Sequence, residues 1–204
     1  VAGDLAVRSA HASAVPLWRA VRPWIEGQPR EDVDARFEAQ GLRLQGRIGG
    51  LSERGLWRVR LGKLRAQDRL ALWLDHLLLN VAKPPDVPLR SLLVATDGAL
   101  QFGPVPQAQS ILADLLALYR AGQGQALPIY PNTSWAWCMQ KGWKDAWNGN
   151  DHQKIPGERD DPYIRLALRD SPEDPLGEAF QALAQRVFIP LRSALESGEG
   201  RDDD

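Results

Sequence analysis

Residues 46–63, GRIGGLSERGLWRVRLGK, set two strand-like runs on either side of a polar turn, and a helical pattern follows. A hairpin leading into a helix is a common frame for metal-dependent phosphodiester cleavage. That chemistry needs carboxylates at the strand ends. They hold Mg²⁺, the metal polarises the phosphate and supplies a hydroxide nucleophile, and a lysine steadies the developing charge. Here the strand ends carry glycine and arginine. The remaining candidates are Glu53 in the turn, Lys63 just past the second run, and Asp68 and Asp75 near or on the following helix. Glu26 stands at the end of an earlier helix. Lys63 has the wrong parity to share a face with Arg58 and Arg60 if the strand stays regular. Asp75 falls in line with Leu72 and Leu79, off the main apolar stripe, and reads as a solvated carboxylate.

Arg43, Arg47, Arg58 and Arg60 alternate onto one side of the hairpin, with Arg65 just beyond. One interpretation is a patch that tracks DNA phosphates. The other is a solvated face balanced by Glu31, Asp32, Glu38 and Glu53. Trp135, Trp137, Trp143 and Trp147 crowd a second region. Tryptophans so placed can stack bases, anchor a protein interface or fill a core. We expect core for some and a partner interface for at least one. His11, His76 and His152 are scattered, and no His/Cys/carboxylate spacing suggests zinc. Asp151–His152 reads as a solvated turn. Cys138 has apolar neighbours and reads as an inert buried thiol. None of Ser52, Ser91, Ser110, Ser134 and Ser171 sits in a G-x-S-x-G elbow, and no G-x-x-x-x-G-K-[ST] loop is present. No metal or cofactor is expected.

The elements that must position these residues follow from periodicity. Residues 4–25 suit a helix with Leu5, Val15, Trp18, Val21 and Ile25 on one side, ended or kinked by Pro23. Residues 33–39, 42–48 and 56–62 alternate with a period of two and predict a three-stranded meander. In the third run Trp57, Val59 and Leu61 share one face, and Arg58, Arg60 and Gly62 the other. Residues 66–82 suit a helix with Leu70, Trp73, Leu74, Leu77, Leu78 and Val81 as its buried stripe. SLLVAT reads as a buried strand, Asp97–Gly98 as a turn and ALQFG as the return strand. A helix is expected over 105–121, then one capped by Asn132, Thr133 or Ser134, then a last one over 175–196. The last buries Leu176, Phe180, Leu183, Val187, Phe188 and Leu191. Residues 197–204 form a charged tail expected to be disordered. Strands early and helices late predict an α/β fold with a mixed central sheet flanked by helices.

Bulk properties narrow the classes. A chain of 204 residues suits one domain and can bury a full core. The net charge of −1 means that any basic surface is local. A single cysteine excludes an internal disulfide and fits a reducing compartment, so a cytoplasmic location is expected. No apolar run approaches the ~20 residues of a membrane span. A chain that begins on Val1 reads as a piece of a longer polypeptide.

The segments LRLQGRIGG, GLWRVR and QDRLALWLDHLLL together resemble the strand–strand–helix block of the RecB and AddB nuclease domains. That block reads as a G-R-I-D run, an apolar-D-x-K run and a helix opening with Gln. It belongs to the PD-(D/E)XK, or restriction-endonuclease-like, fold. The segments LPIYPNTSWAW, EDPLGEAF, DPYIRLALR and VFIPL look like the C-terminal domain of RecC, the gamma subunit of the RecBCD helicase–nuclease, exodeoxyribonuclease V. The resemblance covers nearly the whole chain and rests on the order and spacing of its segments. It implies a single domain over residues 1–196, taken from the end of a larger polypeptide. It implies RecB-like and RecD-like partner subunits, DNA as a duplex fork or single strand, and a role in double-strand-break repair and recombination.

Carried onto this chain, the first metal carboxylate of that family falls at Gly49, the second at Arg60 and the lysine at Gly62. All three are lost. A fixed cation ~4 Å from a divalent ion costs about 8 kcal/mol at an effective dielectric of about 20. The resemblance therefore implies a non-catalytic scaffold and DNA-handling domain. Two alternatives stay open: an active Mg²⁺-dependent nuclease with relocated ligands, and a pure protein-interaction module.

Overall fold

Leu92, Leu93, Val94 and Ala95, each at most 4% exposed, lie on a wholly buried strand of a five-stranded sheet. The computed structural model describes residues 2–26, 28–150, 154–169 and 174–198, with side chains from 14 to 195 within those spans. The chain divides into two units, Val1–Ala113 with Ala194–Asp204, and Asp114–Ser193. Of the tail expected over 197–204, residues 197 and 198 end the last helix and the rest falls outside the described residues, as do Asp151 and His152.

In the first unit the sheet runs in the order β1 (Pro29–Arg30), β4 (Leu51–Ser52), β5 (Gly55–Val59), β6 (Ser91–Ala95) and β7 (Gly98–Phe102). Only β5 and β6 are parallel. A parallel pair needs a crossover, and α2 (Ala66–Ala82) supplies it. The architecture is mixed α/β, with the sheet flanked by helices. Successive residues of β6 face opposite sides. Leu92 and Val94 pack on Leu17, Val21 and Trp24 of α1 (Ala2–Ile25). Ser91 faces α2, where His76 meets it.

The predicted elements form, with four corrections. First, the meander divides. β2 (Val33–Ala39) and β3 (Leu42–Ile48) pair only with each other, as a separate two-stranded arm. The chain leaves the arm at Gly49–Gly50, where Gly50 takes φ +67°. Second, Val59 and Leu61 are 39% and 84% exposed rather than turned inward. β5 stops at Val59, and Gly62 N–H donates back to Arg60 O, so Leu61 leaves the sheet. Third, α1 carries two apolar stripes, and the sheet takes the one with Leu17, Val21 and Trp24, leaving Trp18 exposed. The side chain of Leu5 lies outside the described residues. Fourth, α2 is covered beyond its expected stripe. Leu72, His76, Leu79 and Asn80 are buried while Leu74 is exposed: His76 and Asn80 meet the sheet and the segment after it, and the β2–β3 arm also packs on the helix.

The second unit contains α4 (Pro131–Cys138), α5 (Trp143–Asn148), the short strands β8 (Gly149–Asn150) and β9 (Ile155–Pro156), and α6 (Pro162–Leu168). Two helices, α3 (Ala108–Gly122) and α7 (Glu178–Gly198), span the boundary between units. Phe180, Ala184, Val187, Phe188 and Leu191 of α7 are buried. The cap expected for α4 from Asn132, Thr133 or Ser134 comes from elsewhere. The Glu158 carboxylate accepts from Asn132 N–H at 2.9 Å and Thr133 N–H at 2.7 Å. A remote carboxylate thus satisfies the helix's free amides and complements its dipole.

Candidate functional site

The candidate residues of the first unit lie where β5 meets α2. Arg58 and Arg60 are two apart on β5 and its extension, so they share a face. Asp68 and Asp75 are seven apart on α2, two turns along one side. The structure brings them together as two rungs. Arg58 Nη2 donates to Asp75 Oδ2 at 2.8 Å, and Arg60 Nη1 donates to Asp68 Oδ1 at 2.7 Å. Each arginine also holds backbone. Arg58 Nη1 donates to the carbonyls of Gly49 at 2.7 Å and Trp57 at 3.1 Å, and Arg60 Nε donates to Lys63 O at 2.7 Å. Asp68 Oδ2 accepts from Arg65 N–H at 2.9 Å and so caps α2. Asp75, expected as a solvated carboxylate, is a structural partner instead. Its partner, Arg58 on β5, is 17 residues away, which is what the helical pattern could not reveal.

The three positions matched to nuclease roles do not share one pocket. A Cβ at Gly62 would lie 3.6 Å from Arg60 Nε, so these two occupy one spot. A Cβ at Gly49 would instead meet the Asp32 carboxylate at 2.9 Å, and Gly49 touches the rungs only through its carbonyl. Arg43 and Arg47 lie on the arm. Arg43 pairs with Glu38 and Arg47 with Asp32, the latter at 3.2 Å. Arg65 is exposed at the start of α2. Glu26 is exposed and pairs with Arg22, Glu53 is exposed in the β4–β5 turn, and Lys63 is exposed.

These residues do not fit a divalent ion. Two of the three nuclease positions have no side chain, and the third is a cation. The nearby carboxylates Asp68 and Asp75 already neutralise guanidinium groups. Among the described residues, no three His, Cys, Asp or Glu side chains come together as a metal site.

A buried polar cluster surrounds His76, with no local pattern to announce it. Its ring lies stacked against Trp73 and Phe102, with centroids at 5.9 Å and 5.2 Å. Nε2 donates to Gly103 O at 2.9 Å, and Nδ1 accepts from the Ser91 hydroxyl at 2.7 Å. Asn80 donates to the His76 carbonyl at 2.8 Å and accepts from Val105 N–H at 2.8 Å. Burial pushes the imidazole pKa down to about 4, only partly opposed by the Gly103 carbonyl. The ring is neutral near pH 7 and pins the segment after β7. No carboxylate completes a catalytic relay with Ser91 in these contacts. A lone His on a helix carried no sequence signal for this, because Ser91 and Gly103 are distant in the chain.

In the second unit three tryptophans serve the core. Trp147 packs on Tyr130 at 4.6 Å, Trp135 meets Phe188 edge-on at 6.0 Å, and Trp137 meets Phe180 edge-on at 6.2 Å. Trp143 is half-buried, with Lys144 Nζ 5.4 Å from its ring centroid. It lines a cleft of about 290 Å³ with Trp137, Gln140, Ile189 and Arg192. Cys138 donates to Ala184 O at 3.3 Å, and burial raises its pKa to about 11 despite Arg192. It is an inert thiol.

Comparison with known proteins bears on the whole of this frame. The RecBCD enzyme subunit RecC of Escherichia coli (strain K12) is 27% identical over 187 aligned residues, which cover 80% of this chain. The chain spans 16% of that protein's length. The family model described as the RecC C-terminal domain matches residues 1–142, which include the arm, the sheet and both arginine–aspartate rungs. The chain belongs to the RecC C-terminal domain family.

Proposed function

We propose that this chain is a non-catalytic scaffold and DNA-handling domain of a RecBCD-type helicase–nuclease, acting in double-strand-break repair and recombination in the cytoplasm. Its partners are RecB-like and RecD-like subunits, and DNA as a fork or single strand. Residues 1–196 act as one functional module, with the charged residues 197–204 as a tail. No cofactor is assigned. No described helix is long and apolar enough to cross a membrane.

One observation carries this proposal. The strand position that resembles a metal carboxylate in nucleases is Arg60, and its guanidinium is satisfied by Asp68 and Lys63 O. A group so held neither binds Mg²⁺ nor activates water. What persists is the shape of a nuclease frame. For DNA contact the arm arginines Arg43 and Arg47 are the best placed. Their side chains are 65% and 72% exposed, and exposed ion pairs contribute only about 0–1 kcal/mol, so a phosphate can displace Glu38 or Asp32. Arg65 is exposed at the start of α2, whereas Arg58 and Arg60 are committed to structure. For protein contact Trp143 is the candidate, half-buried on a cleft that Trp137 also lines, while Trp147 is buried.

The test is cleavage. The chain, alone and assembled with its partner subunits, is incubated with single- and double-stranded DNA and Mg²⁺ or Mn²⁺. We expect no cleavage by the chain alone, and nuclease activity in the assembly unchanged by Asp68→Asn. Metal-dependent cleavage by the chain alone would sink the proposal.

A further inference from the structure

The two rungs reverse the charge arrangement that a metal site of this frame requires. A metal site places carboxylates on the strand and bridges them with a divalent cation. Here the cation is covalently part of the strand, at Arg58 and Arg60, and the carboxylates are on the helix, at Asp75 and Asp68. The Arg60–Asp68 rung is half-buried, with side chains 27% and 22% exposed, so it is less screened than a surface pair. Gly50 fits the same logic. A Cβ at Gly50 would fall 2.6 Å from Arg58 Nη1, whereas one at Gly62 would only reach ordinary contact with Arg60 Nε, at 3.6 Å. The absence of a side chain at 50 gives the Arg58 guanidinium its room.

We propose that these rungs replace a bridging metal ion: they tie β5 and the Gly49 corner to α2, and they close the frame to divalent cations. This rests on the nuclease-like frame proposed above, but it concerns stability and metal response rather than cleavage. The guanidinium of Arg58 bonds the Trp57 carbonyl of its own strand and ties that strand to two other pieces, the Gly49 carbonyl and the Asp75 carboxylate of α2. That is the connectivity a bridging ion provides. The guanidinium provides it with planar, directional N–H donors that need no second charge.

The test reads thermal unfolding of the 204-residue chain with and without millimolar MnCl2. The parent is expected to show no Mn²⁺ shift. Arg60→Met, which keeps the apolar stem and removes the charge, is expected to lower the midpoint by roughly 5 °C. Arg60→Asp sets two carboxylates face to face. It is expected to lower the midpoint further, and MnCl2 is expected to restore several degrees in this variant alone. Adding Asp68→Asn is expected to remove that response. The proposal is overturned if Arg60→Met melts like the parent, if Mn²⁺ stabilises the parent, or if Arg60→Asp gains nothing from Mn²⁺. Should Arg60→Asp not fold in metal-free buffer, refolding in MnCl2 decides equally: recovery of the fold supports the proposal, and failure in both buffers overturns it. DNA cleavage by the parent would defeat the functional proposal while leaving this result standing.

Discussion

His76 makes the folded chain sensitive to mild acid, and the size of the effect follows from its surroundings. The imidazole is fully buried against Trp73 and Phe102, and its pKa falls from 6.5 to about 4. As pH drops, the unfolded chain therefore takes up the proton first. The contribution of this group is complete above pH ~6.5, declines between pH ~6.5 and ~4, and is flat below. The full loss is about 3 kcal/mol, of which about 2 kcal/mol falls between pH 7 and pH 5. Carboxylates titrate too, so the measurement is a difference. Urea unfolding of the parent and of His76→Gln is compared at pH 7 and pH 5. Glutamine is less stable at both, since it cannot repeat both ring hydrogen bonds, but it does not titrate. The parent is expected to lose about 2 kcal/mol more than the variant over this interval. Parallel pH profiles for the two proteins would refute the linkage.

Four other outcomes are expected. Gly50→Ala should destabilise the chain by about 2 kcal/mol or more in urea, because φ is +67° and the new Cβ strikes Arg58 Nη1 and Trp57 O. Gly49→Ala should be milder, since only the movable Asp32 side chain stands in its way. Glu158→Ala should cost about 1–2 kcal/mol and speed hydrogen exchange at the Asn132 and Thr133 amides, which lose their acceptor. Arg43→Glu with Arg47→Glu should leave unfolding nearly unchanged. In the assembled complex these changes should weaken DNA binding and flatten its salt dependence by about two units of slope. Trp147→Ala should cost about 3–5 kcal/mol by emptying the core, whereas Trp143→Ala should cost little stability and weaken capture of the partner subunits, read by co-purification.

Local pattern decided much of this protein. Period-two alternation fixes Val33–Ala39 and Leu42–Ile48 as strands, and the Gln40–Gly41 turn joins them. The 3.6-residue stripe fixes α2, and an unbroken apolar run fixes β6 as a buried strand. Covalent chemistry decided something as well. Glycine at 49 and 62 and arginine at 60 stand at the positions that the family resemblance matches to nuclease carboxylates and lysine, and this holds whatever the fold.

Tertiary structure decided which partner each side chain found. Residues 42–61 read as one hairpin, but the chain leaves the β2–β3 arm and joins the sheet at Gly49–Gly50, and only the folded chain shows Arg58 and Trp57 filling the space a Cβ at Gly50 would need. Asp75 looked solvated because helical periodicity reports a single apolar stripe and not its partner, Arg58 on β5. His76 gained its role from Ser91 and Gly103, and α4 its cap from Glu158, all remote in the chain. Periodicity constrains a residue's direction from its own element. Ion pairs, caps and buried polar contacts depend on what a distant segment brings to meet it.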